Sequence, residues 1–214
     1  MKDENKLVIT IGRQLGSGGC EVGTKLAQEL GLDFYDKNIL RMNSDESGIE
    51  ESFYYLADEK AGNKLLYKII KSLTPEKGAP SFGSDLISAD NLFRFQSEVI
   101  RELAAAESCV IVGRCADYIL ETAGKEDLVK IFVYADIPTC VRRTQETDGI
   151  TDTKEALNKL NKITKQRKSY HKYFTGKEWE DVTNYDLPIN ASKLELDQVV
   201  ELIKDYIRMI GYDI

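Results

Sequence analysis

A glycine-rich segment near the start of the chain has the composition of a phosphate-binding loop. Leu7–Ile11 is a short apolar, β-branched run that predicts a buried strand. Glycines follow it, and then apolar residues recur at helical spacing as far as Gly31, which is placed to cap the helix. In such a strand–loop–helix unit, the backbone N–H groups of the loop and of the helix N-terminus point toward a bound anion. The predicted phosphate-binding residues are Gly16, Ser17, Gly18, Gly19, Cys20 and Glu21.

This loop departs from the standard nucleotide-binding patterns. Laid over Arg13–Cys20, the pattern G-x-x-x-x-G-K-[ST] keeps Gly18 alone of its required residues. Gly19 replaces the phosphate-binding lysine, and Cys20 replaces the hydroxyl residue that holds Mg²⁺. A dinucleotide-binding pattern fails because Glu21 occupies the place of its third glycine, which argues against an oxidoreductase. A glycine turn that only folds the helix back onto the strand remains the structural alternative.

A polyphosphate bound at this loop would need its positive charge from arginines, since position 19 has no lysine. The predicted catalytic cations are Arg13, Arg114, Arg143 and Arg167. Arg167 lies in a segment, residues 154–177, that has eight basic residues in a chain with a net charge of −7. A lid that closes over polyphosphate explains this local reversal of charge, and a solvated helix face is the alternative. Within the segment a guanidinium suits bidentate phosphate contact better than a lysine.

Short apolar runs that alternate with helical patterns predict a parallel α/β sheet, with ligands at the carboxyl ends of its strands. The predicted strands are Leu7–Ile11, Leu32–Asp36, Ser108–Val112, Leu128–Tyr134 and Leu187–Asn190. The last strand contains Pro188, which favours an edge position. Helices are predicted over Glu50–Ser72, from Asp90 to Ala106, from Pro138, and after a capping box at Ser192–Glu195, with a loop over Thr74–Gly83.

Three blocks of the sequence resemble the cytidylate kinase-like family, a divergent branch of the P-loop nucleoside monophosphate kinases. They are Ile9–Leu40, Val110–Leu120, and Arg167–Gly176 together with Asn184–Asn190. The resemblance implies a P-loop NTPase fold with a five-stranded parallel sheet and flanking helices. It also implies one kinase-like domain with a core of residues 1–37, 104–145 and 181–214. A helical acceptor-binding insertion is expected at about 38–103, and a basic lid at about 146–180.

The same resemblance implies phosphoryl transfer that depends on ATP and Mg²⁺, with a nucleoside monophosphate as acceptor and CMP or dCMP as the default. It assigns the acceptor to Asp36, Arg94, Gln96, Arg114 and Asp117. Cys115 replaces the aspartate of the family's Gly-Arg-Asp triplet, and this replacement bears on the preference for cytosine. The structural alternatives are a turn-forming role for Asp36, helix surface for Arg94 and Gln96, and a carboxylate partner for Arg114. For the whole protein, the alternatives are a nucleotide-binding sensor without efficient transfer and a kinase of another small acceptor.

Composition narrows the possible partners and chemistry. The 36 acidic residues outnumber the 29 basic ones, which argues against nonspecific nucleic-acid binding. Apolar runs too short to span a membrane and a polar start at Met1–Lys6 predict a cytoplasmic protein without a membrane partner. The four cysteines form no CxxC pair and are expected to be free thiols, and no protein metal site is predicted. His171, the single histidine, is expected to be exposed, so hydrolase chemistry has little support. The sequence leaves the oligomeric state open.

Overall fold

A parallel five-stranded sheet forms the centre of the fold in the computed structural model, which describes residues 6–36, 64–73 and 89–214. The strands are β1 (Val8–Arg13), β2 (Asp33–Tyr35), β3 (Cys109–Val112), β4 (Leu128–Tyr134) and β5 (Leu187–Asn190). Their order is β2-β3-β1-β4-β5, and every neighbouring pair is parallel. The predicted sheet and the edge position of β5 are therefore confirmed. β1 is longer than predicted, because it extends through Gly12 and Arg13.

Helices connect the strands and cover both faces of the sheet. They are α1 (Gly19–Leu30), α2 (Lys64–Leu73), α3 (Ala89–Ala106), α4 (Ala116–Thr122), α5 (Ile137–Asp148), α6 (Thr153–Thr175) and α7 (Leu196–Met209), with 3₁₀ turns at Val182–Asn184 and Ala191–Lys193. Of the helix predicted over Glu50–Ser72, the structure describes only the part from Lys64. The loop predicted over Thr74–Gly83 lies outside the described residues. None of the helices in the described ranges combines the length and apolarity needed to cross a membrane.

Alternate side chains of the strands contribute to two apolar layers, one on each face of the sheet. Ile9 and Ile11 point to one face, where they pack with residues of α1 and α7, including Leu26 and Ile203. Val8 points to the other face and packs with residues of α3 and α4. This period of two is the geometry of a strand that is buried on both sides. Full burial of each large aliphatic side chain contributes about 1.5–3 kcal/mol, so the two layers hold the strand ends in place.

Helix caps fix the loops at both edges of the sheet. Gly31 ends α1 in the left-handed conformation, as predicted. Asp136 begins α5, and its carboxylate accepts from the backbone N–H of Thr139. The capping box predicted at Ser192–Glu195 is wrong, because α7 begins at Leu196 and Gln198 Oε1 accepts from the N–H of Glu195. Ser192 lies instead in a 3₁₀ turn, where Asn190 accepts from both its N–H and its hydroxyl.

Candidate active site

A cavity of about 260 Å³ lies where the carboxyl ends of β1 and β3 face helix α6. Gly12 and Arg13 come from the end of β1, and residues 113–115 come from the turn after β3. Helix α6 contributes Arg167, Tyr170 and His171. In a parallel α/β sheet this edge is where ligands bind, so the cavity occupies the predicted place for a site.

Three of the four predicted catalytic arginines line this cavity. They are Arg13, Arg114 and Arg167. Burial lowers the pKa of Arg13, and the charge of Arg114 lowers it further, against opposing effects of Cys20 and Asp36. Burial lowers the pKa of Arg167 to about 10, with a further contribution from Arg13. Among residues 6–36, 64–73 and 89–214, no carboxylate lies within 4.0 Å of the three guanidinium groups. The cluster is therefore a concentration of positive charge without a directly paired carboxylate in these residues, and it fits a polyanion.

A strained turn holds Arg114 at the cavity. Gly113, Arg114 and Cys115 have φ angles of 79°, 62° and 55°, all in the left-handed region. For a residue other than glycine this conformation costs about 1–2 kcal/mol. Gln96 on α3 supports the turn, because its Nε2 donates to the carbonyl of Arg114 at 3.2 Å. The Nε of Arg114 is buried and has no hydrogen-bond partner in the described part of the chain. Such strain and such an orphaned donor are typical of a binding site.

The loop predicted to bind phosphate joins β1 to α1, as the strand–loop–helix pattern required. Ser17 organises it, since its hydroxyl donates to the carbonyl of Gln14 at 2.9 Å and accepts from the N–H of Gly19 at 3.4 Å. Gly18 is the N-cap of α1 and has no side chain that could accept from the first turn. The N-terminal N–H groups of a helix lack acceptors within the helix, so this end of α1 suits an external anion.

Packing also explains the loop glycines. A Cβ atom on Gly16 would lie 2.2 Å from the carbonyl oxygen of Cys140, and one on Gly18 would lie 2.4 Å from Leu196. A Cβ atom on Gly19 would lie 2.5 Å from the Cβ of Arg13. The backbone near Gly16 and the Cβ of Arg13 near Gly19 leave no room for a side chain at these two positions. A glycine turn that only folds the helix back onto the strand therefore accounts for these glycines as well. Phosphate binding by residues 16–21 stays a prediction.

Arg143, the fourth predicted cation, contacts the loop from outside the cavity. Its Nη1 donates to the carbonyl of Ser17 at 2.8 Å. Its Nη2 donates to the carbonyls of Ala191 and Leu194 at 3.3 and 3.1 Å. These contacts tie the loop to the segment that precedes α7. In this structure Arg143 therefore braces the loop, and its direct action on phosphate stays a prediction.

The predicted acceptor residues take different positions. Asp117, on α4, lines the cavity beside Arg114. Asp36 follows β2, is buried, and raises the pKa of Arg13 through its charge. Gln96 is buried and contacts the Arg114 turn, so it is not the exposed helix surface that the alternative proposed. Arg94 is exposed on α3, as that alternative expected.

Much of the basic segment on α6 is paired with carboxylates. Four of its eight basic residues form ion pairs: Lys159 with Asp148, Lys168 with Glu180, Lys172 with Glu178 and Lys177 with Glu121. Arg167 is the member that lines the cavity. The alternative interpretation, a solvated helix face, therefore accounts for these four paired lysines. The role of the remainder as a lid stays a prediction.

His171 contradicts the expectation of an exposed polar residue. It is 3% exposed because the packed face of α6 places it against α4, where its Nε2 lies 3.9 Å from Asp117 Oδ2. Arg167, Tyr170 and His171 follow the spacing i, i+3, i+4, which places them on one side of the helix. This spacing is the feature of the sequence that could have predicted that His171 shares a side of the helix with Arg167. The aromatic residues Trp179 and Tyr185 complete the cavity wall, and the buried Tyr185 hydroxyl donates to the carbonyl of Trp179 at 2.7 Å.

The donor set around the cavity fits magnesium only as a partner of bound phosphate. No group of three or more His, Cys, Asp or Glu residues in the described ranges could hold a metal ion by itself. Mg²⁺ usually retains several waters and binds one or two carboxylates together with substrate phosphates. Asp36, buried near Arg13, is a carboxylate that fits this arrangement. The thiol of Cys20 is a poor substitute for the hydroxyl that it replaces.

The reactivity of the cysteine thiols gives a first test of phosphate binding at the loop of residues 16–21. Burial raises the pKa of Cys109 to about 12 and also raises the pKa values of Cys115 and Cys140. Cys20 is half-buried in the first turn of α1. We expect one of the four thiols of the native protein to react rapidly with 5,5′-dithiobis(2-nitrobenzoate), because thiolate character and access control this reaction.

The Cys20→Ser variant should lack the fast phase, and ATP or inorganic phosphate should slow it in the wild type. A fast phase that survives in Cys20→Ser would show that another cysteine is the accessible one. Protection by neither anion would count against phosphate binding at this loop.

The sequence profile of the cytidylate kinase-like family matches residues 8–193. A cytidylate kinase from Pyrococcus horikoshii is 27% identical over 214 residues, which cover 97% of this chain and 93% of the relative. The crystal structure of an uncharacterized protein from Eubacterium ventriosum is 28% identical, with a TM-score of 0.69, and the match covers 95% of this chain and 99% of that one.

A shikimate kinase from Bacteroides thetaiotaomicron matches at a TM-score of 0.52 with 15% identity, over 94% of this chain and 98% of the enzyme. At that identity the likeness concerns the fold alone. It shows that the five-stranded parallel sheet with its flanking helices is the P-loop kinase fold, as the sequence predicted.

Proposed function

The chain belongs to the cytidylate kinase-like family, and from this premise we propose that it transfers the γ-phosphoryl group of ATP to a nucleoside monophosphate. The family and the kinase fold support a nucleotide kinase. The observation that carries the proposal is the cluster of Arg13, Arg114 and Arg167 at the carboxyl edge of the sheet. Phosphoryl transfer needs positively charged groups at fixed positions around the phosphates, and this cluster provides them.

In the proposed reaction an oxygen of the acceptor phosphate attacks the γ-phosphorus of ATP. The bond from that phosphorus to the β,γ-bridging oxygen breaks, so the products are ADP and a nucleoside diphosphate. The attacking phosphate oxygen is already anionic, and no side chain has to remove a proton. The arginines stabilise the charge on the transferring group, and Mg²⁺ held by the phosphates would neutralise the charge of the triphosphate.

Arg13 takes the part of the missing P-loop lysine in this proposal. Its Cβ lies 2.5 Å from the point that a Cβ on Gly19 would occupy, so its stem covers the lysine position. Arg167 lies alongside, and its Nη1 donates to the carbonyl of Arg13 at 2.8 Å. Arg114 approaches from the end of β3, beside Asp117. We therefore assign Arg13 and Arg167 to the donor triphosphate and Arg114 to the acceptor phosphate.

The replacements at Gly19 and Cys20 favour a second candidate, a nucleotide-binding sensor that transfers phosphate poorly or not at all. The loop and the arginine cluster would then bind a nucleotide for recognition alone. A kinase of another small acceptor would use the same donor site with a different ligand in the cavity. In the proposed kinase, CMP and dCMP are the default acceptors, because the matched relatives carry the name cytidylate kinase.

A coupled assay of ADP release separates these candidates. The assay supplies ATP and Mg²⁺ with CMP, dCMP, UMP, AMP or a non-nucleotide acceptor. We expect at least one nucleoside monophosphate to raise ADP release about tenfold or more above the rate with ATP alone. ATP binding without acceptor-dependent release would support the sensor, and stimulation by a non-nucleotide acceptor alone would support the other kinase.

A further inference from the structure

Tyr170 of helix α6 brings a hydroxyl group to the guanidinium of Arg114. Both side chains line the cavity. A guanidinium has only donors, so the hydroxyl oxygen of Tyr170 accepts the hydrogen bond between the two groups. Burial raises the pKa of Tyr170, and the charge of Arg114 together with this hydrogen bond opposes the rise. The hydroxyl therefore fixes the charged end of Arg114 from a helix that is distant in sequence.

Gln96 of helix α3 joins the same network from behind the turn. Its side chain is buried. Its Nε2 donates to the carbonyl of Arg114 at 3.2 Å and to the hydroxyl of Tyr170 at 3.5 Å. A carboxamide nitrogen carries two hydrogens, so one group can serve both acceptors. Arg114 is thus held at its backbone by α3 and at its guanidinium by α6.

Aromatic contacts fix the ring of Tyr170 independently of its hydroxyl. The ring centroid of Phe174 lies 4.7 Å from that of Tyr170, and Phe93 of α3 meets it edge-on at 6.3 Å. Phe93 and Phe174 stack on each other at 4.1 Å. Aromatic pairs with such geometry orient the rings as well as burying them. A phenylalanine at position 170 would keep these contacts and lose only the hydroxyl.

The turn that carries Arg114 needs such support. Its left-handed backbone is strained, and the buried Nε of Arg114 has no hydrogen-bond partner among the described residues. Arg13 rests on the same turn, because a Cβ atom on Gly113 would lie 2.1 Å from Nη1 of Arg13. A cation stabilises a transition state only when it is already held where the charge develops. Groups that fix this turn therefore control two of the three cavity arginines.

We propose that Tyr170 and Gln96 are positioning residues, which hold Arg114 in the geometry that phosphoryl transfer requires. The inference rests on the proposed function, since it takes Arg114 to act on a transferring phosphoryl group. Neither residue has to contact the substrate, because each acts through Arg114. Their loss frees the guanidinium to leave its place, which lowers the rate of transfer more than it lowers the affinity for the substrates.

Steady-state assays of ADP release with ATP, Mg²⁺ and CMP test this role. We expect Tyr170→Phe and Gln96→Met each to lower kcat about tenfold, with the KM for ATP within about twofold of the wild-type value. Both losses should vanish when they are measured in Arg114→Ala, because that variant has no guanidinium to position. A merely structural role would lower the activity by the same factor with and without Arg114.

Tyr173→Phe is the matched control. Tyr173 lies on the same helix and also contacts Phe174, but it is 66% exposed and its hydroxyl donates to Asp90 at 3.4 Å. This variant should keep the wild-type kcat. A loss in Tyr173→Phe equal to that in Tyr170→Phe would show that any change in the aromatic cluster slows the enzyme, which would overturn the inference.

Full kcat in Tyr170→Phe would overturn the inference, and so would a loss that persists unchanged in the Arg114→Ala background. In either case a low activity of Arg114→Ala itself would leave the proposed function standing. If Tyr170→Phe failed to fold, the same two criteria applied to Gln96→Met would decide. A wild type that transfers phosphate to none of CMP, dCMP, UMP and AMP would contradict the inference and the proposed function together.

Discussion

Replacing Arg114 with alanine should lower kcat/KM for phosphoryl transfer by about 10²–10⁴-fold and leave the protein folded. The loss follows from removing one preorganised cation from a site where charge develops in the transition state. Stability should change little, because the side chain has no carboxylate partner in the described residues, its Nε is buried without a hydrogen bond, and its other polar contact is with the Tyr170 hydroxyl. Steady-state kinetics and a urea denaturation curve measure the two effects separately.

Arg13→Ala should produce a loss of similar size, because Arg13 stands in for the absent lysine. Arg142→Ala is the matched control, since Arg142 is an exposed arginine on α5 that pairs with Glu146. Full activity of both Arg13→Ala and Arg114→Ala would refute the compensation by arginines. A loss of equal size in the control would show that arginine removal acts through general electrostatics and not through the cavity.

Gly16→Ala should lower the free energy of unfolding by about 2–5 kcal/mol. Gly16 has a φ of +71°, which costs another residue about 1–2 kcal/mol. The added methyl group would also lie 2.2 Å from the carbonyl oxygen of Cys140, which is backbone and cannot rotate away. Forcing an extra methyl into packed structure costs about 1–3 kcal/mol more.

Gly149→Ala is a control for the backbone conformation alone. Gly149 has a φ of +68°, and the position that an added methyl group would take has open space within 4 Å. Urea denaturation should therefore show a loss of only about 1–2 kcal/mol for this variant. Equal losses at the two glycines would mean that the loop yields to the methyl group and that its packing against α5 is weak.

Features determined by local sequence were predictable. The five strands follow from apolar runs such as residues 128–134, because a strand buried on both faces must be apolar at successive positions. The strand–loop–helix unit at residues 8–30 was predictable because a glycine-rich segment separates an apolar run from apolar residues at helical spacing. The carboxyl edge of the sheet then places Arg13 and Arg114 near one another, because β1 and β3 are neighbours.

Features that depend on distant partners were not predictable. Arg143 binds carbonyls of Ser17, Ala191 and Leu194, which come from parts of the chain that only the fold brings together. Ser192 was a plausible helix cap, but Asn190 and the backbone of Asp136 hold it in a turn. The burial of His171 depends on which face of α6 packs against the core.

The most direct test of the proposed transfer is ³¹P NMR of the wild-type protein with ATP, Mg²⁺ and CMP. The account predicts the resonances of ADP and of a new nucleoside diphosphate, formed in equal amounts as ATP and CMP are consumed. The same mixture with Arg114→Ala should show little of either product over the same period. Binding of ATP by the wild type without formation of any diphosphate from CMP, dCMP, UMP or AMP would contradict the account.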